Sequence, residues 1–122
     1  MASTVLVVDD SASLRLVVTM TLKAAGYDVL QAGDGREALT VLDGRKIGMV
    51  VCDVNMPNMN GIEFVIAAKQ IPAYKFMPIL MLTTETQESK KAEGKAAGAK
   101  AWMVKPFSPT TLLSAVSKFC VP

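Results

Sequence analysis

The sequence contains no histidine. That excludes the commonest general base, the Ser/His/Asp triad, imidazole-ligated metal sites and a phosphohistidine carrier. Any metal here is bound by oxygen, which favours Mg²⁺, Mn²⁺ or Ca²⁺. Cysteine is scarce too: Cys52 and Cys120 are the only two, and they lack metal or redox spacing. Cys52 sits in an apolar run and reads as a buried, inert thiol. Charge of one sign is also missing. The net charge of +2 is too weak for the electrostatic footprint of a dedicated DNA binder. No segment approaches a membrane span, so no membrane insertion is expected. The first apolar run, Val5 to Val8, stops at Asp9 and is too short for a signal peptide, which leaves the cytoplasm as the expected compartment.

What is present is apolar and periodic. Hydrophobic residues make up 51% of the 122 positions, enough for one domain over residues 1–122 built on a sheet buried on both faces. Short apolar runs end on charged or hydroxyl groups. Val5 to Val8 ends at Asp9-Asp10, Met49 to Cys52 at Asp53, Ile79 to Leu82 at Thr83, and Ala101 to Val104 at Lys105. An isolated charge at the end of a buried strand is expensive, so these groups are expected to share one site.

Helical stretches alternate with the runs. Leu14, Val17, Val18, Leu22 and Ala25 follow helical spacing, with Ser11 or Ser13 as a start and Gly26 as a stop. Tyr27 to Gln31 reads as the second strand, and Asp34 to Glu37 resembles a capping box opening a helix to about Leu42. Ile47 to Asp53 is the third strand. Asn55 to Gly61 is a loop, and Asn60 with Glu63 caps a helix to about Lys69. Met77 to Thr83 is the fourth strand, Gln87 to Ala97 a helix of small and charged residues, and Lys100 to Val104 the fifth strand. Ser108-Pro109 opens a last helix, whose apolar face is Leu112, Leu113, Val116, Phe119 and Cys120. Strictly alternating strands and helices imply an α/β domain with a doubly wound parallel sheet. Right-handed crossovers then place every strand's C-terminus on one edge, where ligands bind.

Clustered carboxylates repel one another unless a cation intervenes. A divalent ion could bridge them to a phosphoryl group, one carboxylate could be a nucleophile, and Lys105 could steady the transferred charge.

Val7-Val8-Asp9-Asp10-Ser11, Asp53 to Gly61, Leu82-Thr83 and Val104-Lys105-Pro106-Phe107 together resemble the signature of response-regulator receiver domains over essentially the whole chain. The resemblance implies a flavodoxin-like (βα)5 fold, a five-stranded parallel sheet of order 2-1-3-4-5. It implies Asp53 as acceptor of a phosphoryl group from a sensor histidine kinase. Mg²⁺, with Mn²⁺ as a substitute, would be held by Asp9, Asp10, Asp53 and the backbone carbonyl of Asn55. Lys105, followed by a cis proline bond, would contact the phosphoryl oxygens, and Thr83 and Trp102 would form a relay. Asn55 and Glu85 match positions that tune dephosphorylation. Trp102 stands where Tyr or Phe is usual, and its larger ring is expected to bury inward less easily. Thr84 stands where Ala is frequent and is expected to narrow access to Asp53.

Lys90, Lys91, Lys95 and Lys100 read either as a solvated helix face or, with Trp102, as a docking surface for an acidic partner. Gly94 and the alanines Ala92, Ala96 and Ala97 suggest a loosely packed helix. Within the family the chain is most similar to CheY-type chemotaxis regulators. That similarity implies a stand-alone monomer, not an enzyme on external substrates, that binds the flagellar motor switch when phosphorylated. A phosphatase is a further candidate partner, and a phosphorelay shuttle to a histidine phosphotransferase is the alternative role. Two other classes fit worse. An FMN-binding flavodoxin-type protein would meet repulsion from Asp9-Asp10. An aspartate-nucleophile phosphatase would want an acid where Asn55 stands.

Overall fold

The computed structural model describes residues 3–84 and 88–122, with the side chains of 88–90 left aside. Its order is β1 (Thr4–Val8), α1 (Ala12–Ala24), β2 (Asp28–Ala32), α2 (Gly35–Val41), β3 (Met49–Asp53), α3 (Gly61–Lys69), β4 (Ile79–Thr83), α4 (Glu88–Ala97), β5 (Ala101–Val104) and α5 (Pro109–Ser117). A single 3-10 turn, Pro72–Tyr74, precedes β4. All four strand pairings are parallel, and the sheet runs β2-β1-β3-β4-β5. The expected fold class and strand order both hold.

The apolar runs form strands because both of their faces are covered. Every residue of β3 and β4 is buried. One face of the sheet carries Leu6, Val8, Val50, Cys52, Ile79 and Met81, and Phe64 and Val65 of α3 pack in the same cluster. The other face carries Val5, Val7, Met49, Val51, Leu80 and Leu82 against Val18 and Leu22 of α1 and Leu112 and Val116 of α5. Alternation by two residues sends neighbours to opposite faces, so one run serves two cores. The edge strands β2 and β5 are only partly buried.

Local signals set the helix starts. Ser11, Asp34, Asn60 and Ser108 each accept a backbone N–H three residues on, which satisfies one donor that a first turn leaves open. Asn60 and Glu63 form a reciprocal capping box. At Asp34 the box is half made: Glu37 instead accepts from the Gly33 N–H at 3.0 Å.

Local expectations shift: β3, β4 and β5 begin at Met49, Ile79 and Ala101 rather than at Ile47, Met77 and Lys100. β2 covers Asp28–Ala32, one residue later than read, and Tyr27 is drawn off to the chain's end, donating its hydroxyl to the Cys120 carbonyl at 2.6 Å. Val17 is 54% exposed although it fits the apolar helical spacing, because α1 meets the sheet along Val18 and Leu22. The last helix ends at Ser117, leaving Phe119 39% exposed while Cys120 is buried.

Candidate functional site

β1 and β3 are neighbours, and the chain turns to opposite sides of β1 on reaching β2 and β3. This is the switch point at which open α/β sheets form a crevice. Asp9 and Asp10 follow β1 directly and Asp53 is the last residue of β3. Their carboxylate oxygens lie within 4.8 Å of one another, with Asp9 and Asp53 buried and Asp10 exposed. Among the described residues this is the group of acids close enough to hold a metal ion.

Lys105 reaches the same crevice from the turn after β5. Its Nζ lies 3.1 Å from Asp53 Oδ1 and 3.5 Å from Asp9 Oδ2. The Lys105–Pro106 peptide is cis, as the resemblance implies, and the Lys105 N–H donates to the Thr83 carbonyl at 2.7 Å. Thr83 is buried at the end of β4, and its hydroxyl donates to the Thr84 carbonyl at 3.1 Å. Asn55 is exposed on the loop two residues after Asp53. Glu85 and Gln87 lie outside the described residues, as does the side chain of Lys90. Lys91 and Lys95 are exposed on α4, and Trp102 is half-buried on β5.

Burial raises the Asp53 carboxyl above its ordinary value. The Lys105 ammonium opposes that rise, whereas Asp9 and Asp10 reinforce it. A carboxylate held this way gains when a second cation arrives. One lone pair is ready for it: Asp9 Oδ1 accepts from the Ser11 N–H at 2.9 Å, while buried Asp9 Oδ2 has no hydrogen-bond partner among the described residues. The donor set is all oxygen and anionic, which fits Mg²⁺. Cys52, one residue before the acceptor, is fully buried, and its thiol is pushed well up by burial, then by Asp53 and Asp9. The inert reading of that thiol agrees with this.

Some supporting residues escape a sequence reading. The Arg15 guanidinium donates to the Asp9 carbonyl at 2.6 Å and to Gln31 Oε1 at 3.3 Å, tying the acidic loop to β2. Gly61 lets α3 approach the acceptor: a Cβ there would lie 2.2 Å from the Asp53 carbonyl oxygen. Neither is marked by spacing, because both partners come from another element.

The geometry agrees with a family comparison. The family described as "Response regulator receiver domain" matches residues 5–117. The chain belongs to the response-regulator receiver family. Receivers act as phosphoryl-accepting signalling modules rather than classical enzymes, interact with histidine kinases and bind Mg²⁺ at an acidic pocket. This receiver is similar to the chemotaxis protein CheY4 of Vibrio cholerae, with 52% identity, a TM-score of 0.93, and coverage of 98% of this chain and 99% of that one. It is 39% identical to chemotaxis protein CheY1 of Helicobacter pylori over 109 residues, 88% of each chain. It is also 43% identical over 106 residues to the alkaline phosphatase synthesis transcriptional regulatory protein PhoP of Bacillus subtilis, covering 86% of this chain and 43% of that protein. The receiver thus spans about half the length of the transcriptional regulators it matches. No helix among the described residues is long and apolar enough to cross a membrane.

Proposed function

We propose that this receiver is switched by phosphorylation of Asp53. The observation that carries the reading is the Lys105 ammonium 3.1 Å from Asp53 Oδ1, inside a cluster of three carboxylates. An Asp53 oxygen would attack the phosphorus of a kinase phosphohistidine. A P–O bond forms, the P–N bond breaks, and the imidazole leaves with the electron pair. Asp9, Asp10, Asp53 and the Asn55 carbonyl would hold Mg²⁺, or Mn²⁺ in its place. When bound, the ion neutralises charge on the transferring group. Lys105 holds the phosphoryl oxygens from the opposite side, and Thr83 with Trp102 relays the change. Asn55 and Glu85 tune how long the phosphoryl group persists, and a dedicated phosphatase shortens that lifetime.

The output we infer is chemotactic: a cytoplasmic monomer that docks on the flagellar motor switch through Trp102 and the basic residues Lys90, Lys91 and Lys95. Near-complete mutual coverage with CheY4 and with CheY1 supports it. The matches to transcriptional regulators favour a second reading, in which the same acceptor governs transcription. Passing the phosphoryl group on to a histidine phosphotransferase is a third use of the same chemistry. Intact-protein mass spectrometry with Mg²⁺ and a small phosphodonor tests the shared step. Wild type gains one phosphoryl group and Asp53→Asn does not; equal labelling of both would remove Asp53 as acceptor. Binding of the labelled protein to a motor-switch peptide, absent without labelling, separates the chemotactic output from the others.

A further inference from the structure

Gly94 stands inside α4, where glycine weakens a helix and the sequence alone suggests loose packing. The structure shows a different reason for it. Gly94 is buried, and the Trp102 indole lies against its α-carbon. A Cβ at position 94 would fall 2.1 Å from Trp102 Cζ2 and 2.5 Å from Cη2. Those approaches are far inside van der Waals contact, and atoms of the indole's six-membered ring make both. Trp102 pairs with Met81 in the sheet, and its ring packs on the same core cluster as Met81. The half-buried ring therefore packs against this core where α4 presents a surface without a side chain.

The inward position is held by shape and opposed by chemistry. Trp102 Nε1 is buried without a hydrogen-bond partner among the described residues. An unpaired buried N–H favours any position in which it meets water. Such a position lies close by. Trp102 also borders a groove of about 430 Å³ between β5 and α5, lined by Met103, Thr110, Thr111, Ser114 and Lys118. The ring thus has a tight seat at Gly94, and the residue that carries it borders a partly polar groove.

We propose that Gly94 is the positioning residue for Trp102, and that the lack of a side chain at 94 keeps the indole inward and the β5–α5 groove open. This packing relation does not depend on the Asp53 reading above.

Trp102 is the single tryptophan, so the emission of the intact protein reads this indole alone. In Gly94→Ala, without phosphodonor, the emission should shift to the red and acrylamide quenching should rise. A second measurement uses stability. In wild type, Gly94→Ala should lower the melting temperature. In a Trp102→Phe background, which lacks the clashing ring atoms, the same change should raise it, as helix propensity dictates. An unchanged emission, or a melting temperature that moves alike in both backgrounds, overturns the proposal.

Discussion

Asp9 is the residue on which the site's electrostatics turn. It is 1% exposed, one carboxylate oxygen is tied to the Ser11 N–H, and the other faces Lys105 at 3.5 Å without a hydrogen bond. A buried anion this poorly partnered favours a bound cation. Ligand linkage sets the expected size of that effect: Mg²⁺ at about 100 times its dissociation constant raises stability by about 2.7 kcal/mol. Asp10→Asn should remove most of this gain. Asp10 adds to the repulsion on Asp53, so without metal the substitution should leave stability unchanged or raise it. Urea denaturation with Mg²⁺ and with chelator measures both quantities, and an undiminished Mg²⁺ gain in the variant would exclude Asp10 as a ligand. Thr84, expected to narrow access to Asp53, is exposed and lines a cavity of about 480 Å³ with Leu14, Val17, Lys105 and Phe107.

Among the elements, α3 bears most directly on the acceptor. Its start is fixed twice, by the Asn60–Glu63 capping box and by the Gly61 N–H donating to the Val54 carbonyl at 2.8 Å. The capping box was legible, since it needs only residues three apart. The close approach of Gly61 was not, since the contact that demands it lies on β3. Gly61→Ala sets two effects against each other. Helix propensity favours alanine by up to about 1 kcal/mol. Overpacking a Cβ against the Asp53 carbonyl oxygen costs about 1–3 kcal/mol. At a separation of 2.2 Å the clash should win. The variant should therefore lose stability in urea and label more slowly at Asp53 in a phosphodonor time course. A gain in stability with unchanged labelling would show that α3 can shift freely. The same distinction explains α1 and α5. Spacing located both helices, but the exposure of Val17 and Phe119 followed from where the sheet ends and from α5 stopping at Ser117.

At the scale of the whole molecule, the Tyr27 hydroxyl clasps the chain's end by donating to the Cys120 carbonyl across 93 residues. Tyr27 is 4% exposed. Burial, then the nearby Cys120, raises its phenol above the ordinary value of 10.0. The folded state therefore keeps a proton that the unfolded chain gives up first. The contribution is complete below about pH 10 and is lost as pH climbs through the raised folded value. Tyr27→Phe should cost about 1 kcal/mol at neutral pH. Its stability should also fall less steeply than wild type's in alkali. Urea midpoints across the alkaline range check this, and parallel curves would show that the phenol is not a linked group.

The sequence by itself determined the alternation of strands and helices, the two-faced sheet and the set of groups at the strand ends. These depend on periodicity and on residues a few positions apart, which a linear chain displays directly. It also displayed Asp9, Asp10, Asp53 and Lys105 as companions, because charges closing buried runs require partners. Tertiary structure decided what depends on approach between elements: the 3.1 Å separation of Lys105 and Asp53, the Arg15 hold on the Asp9 carbonyl, and the Gly94 seat beneath Trp102. Such contacts arise only when the sheet order brings distant segments together. A glycine that weakens a helix in sequence thus becomes, once folded, the surface on which the indole rests.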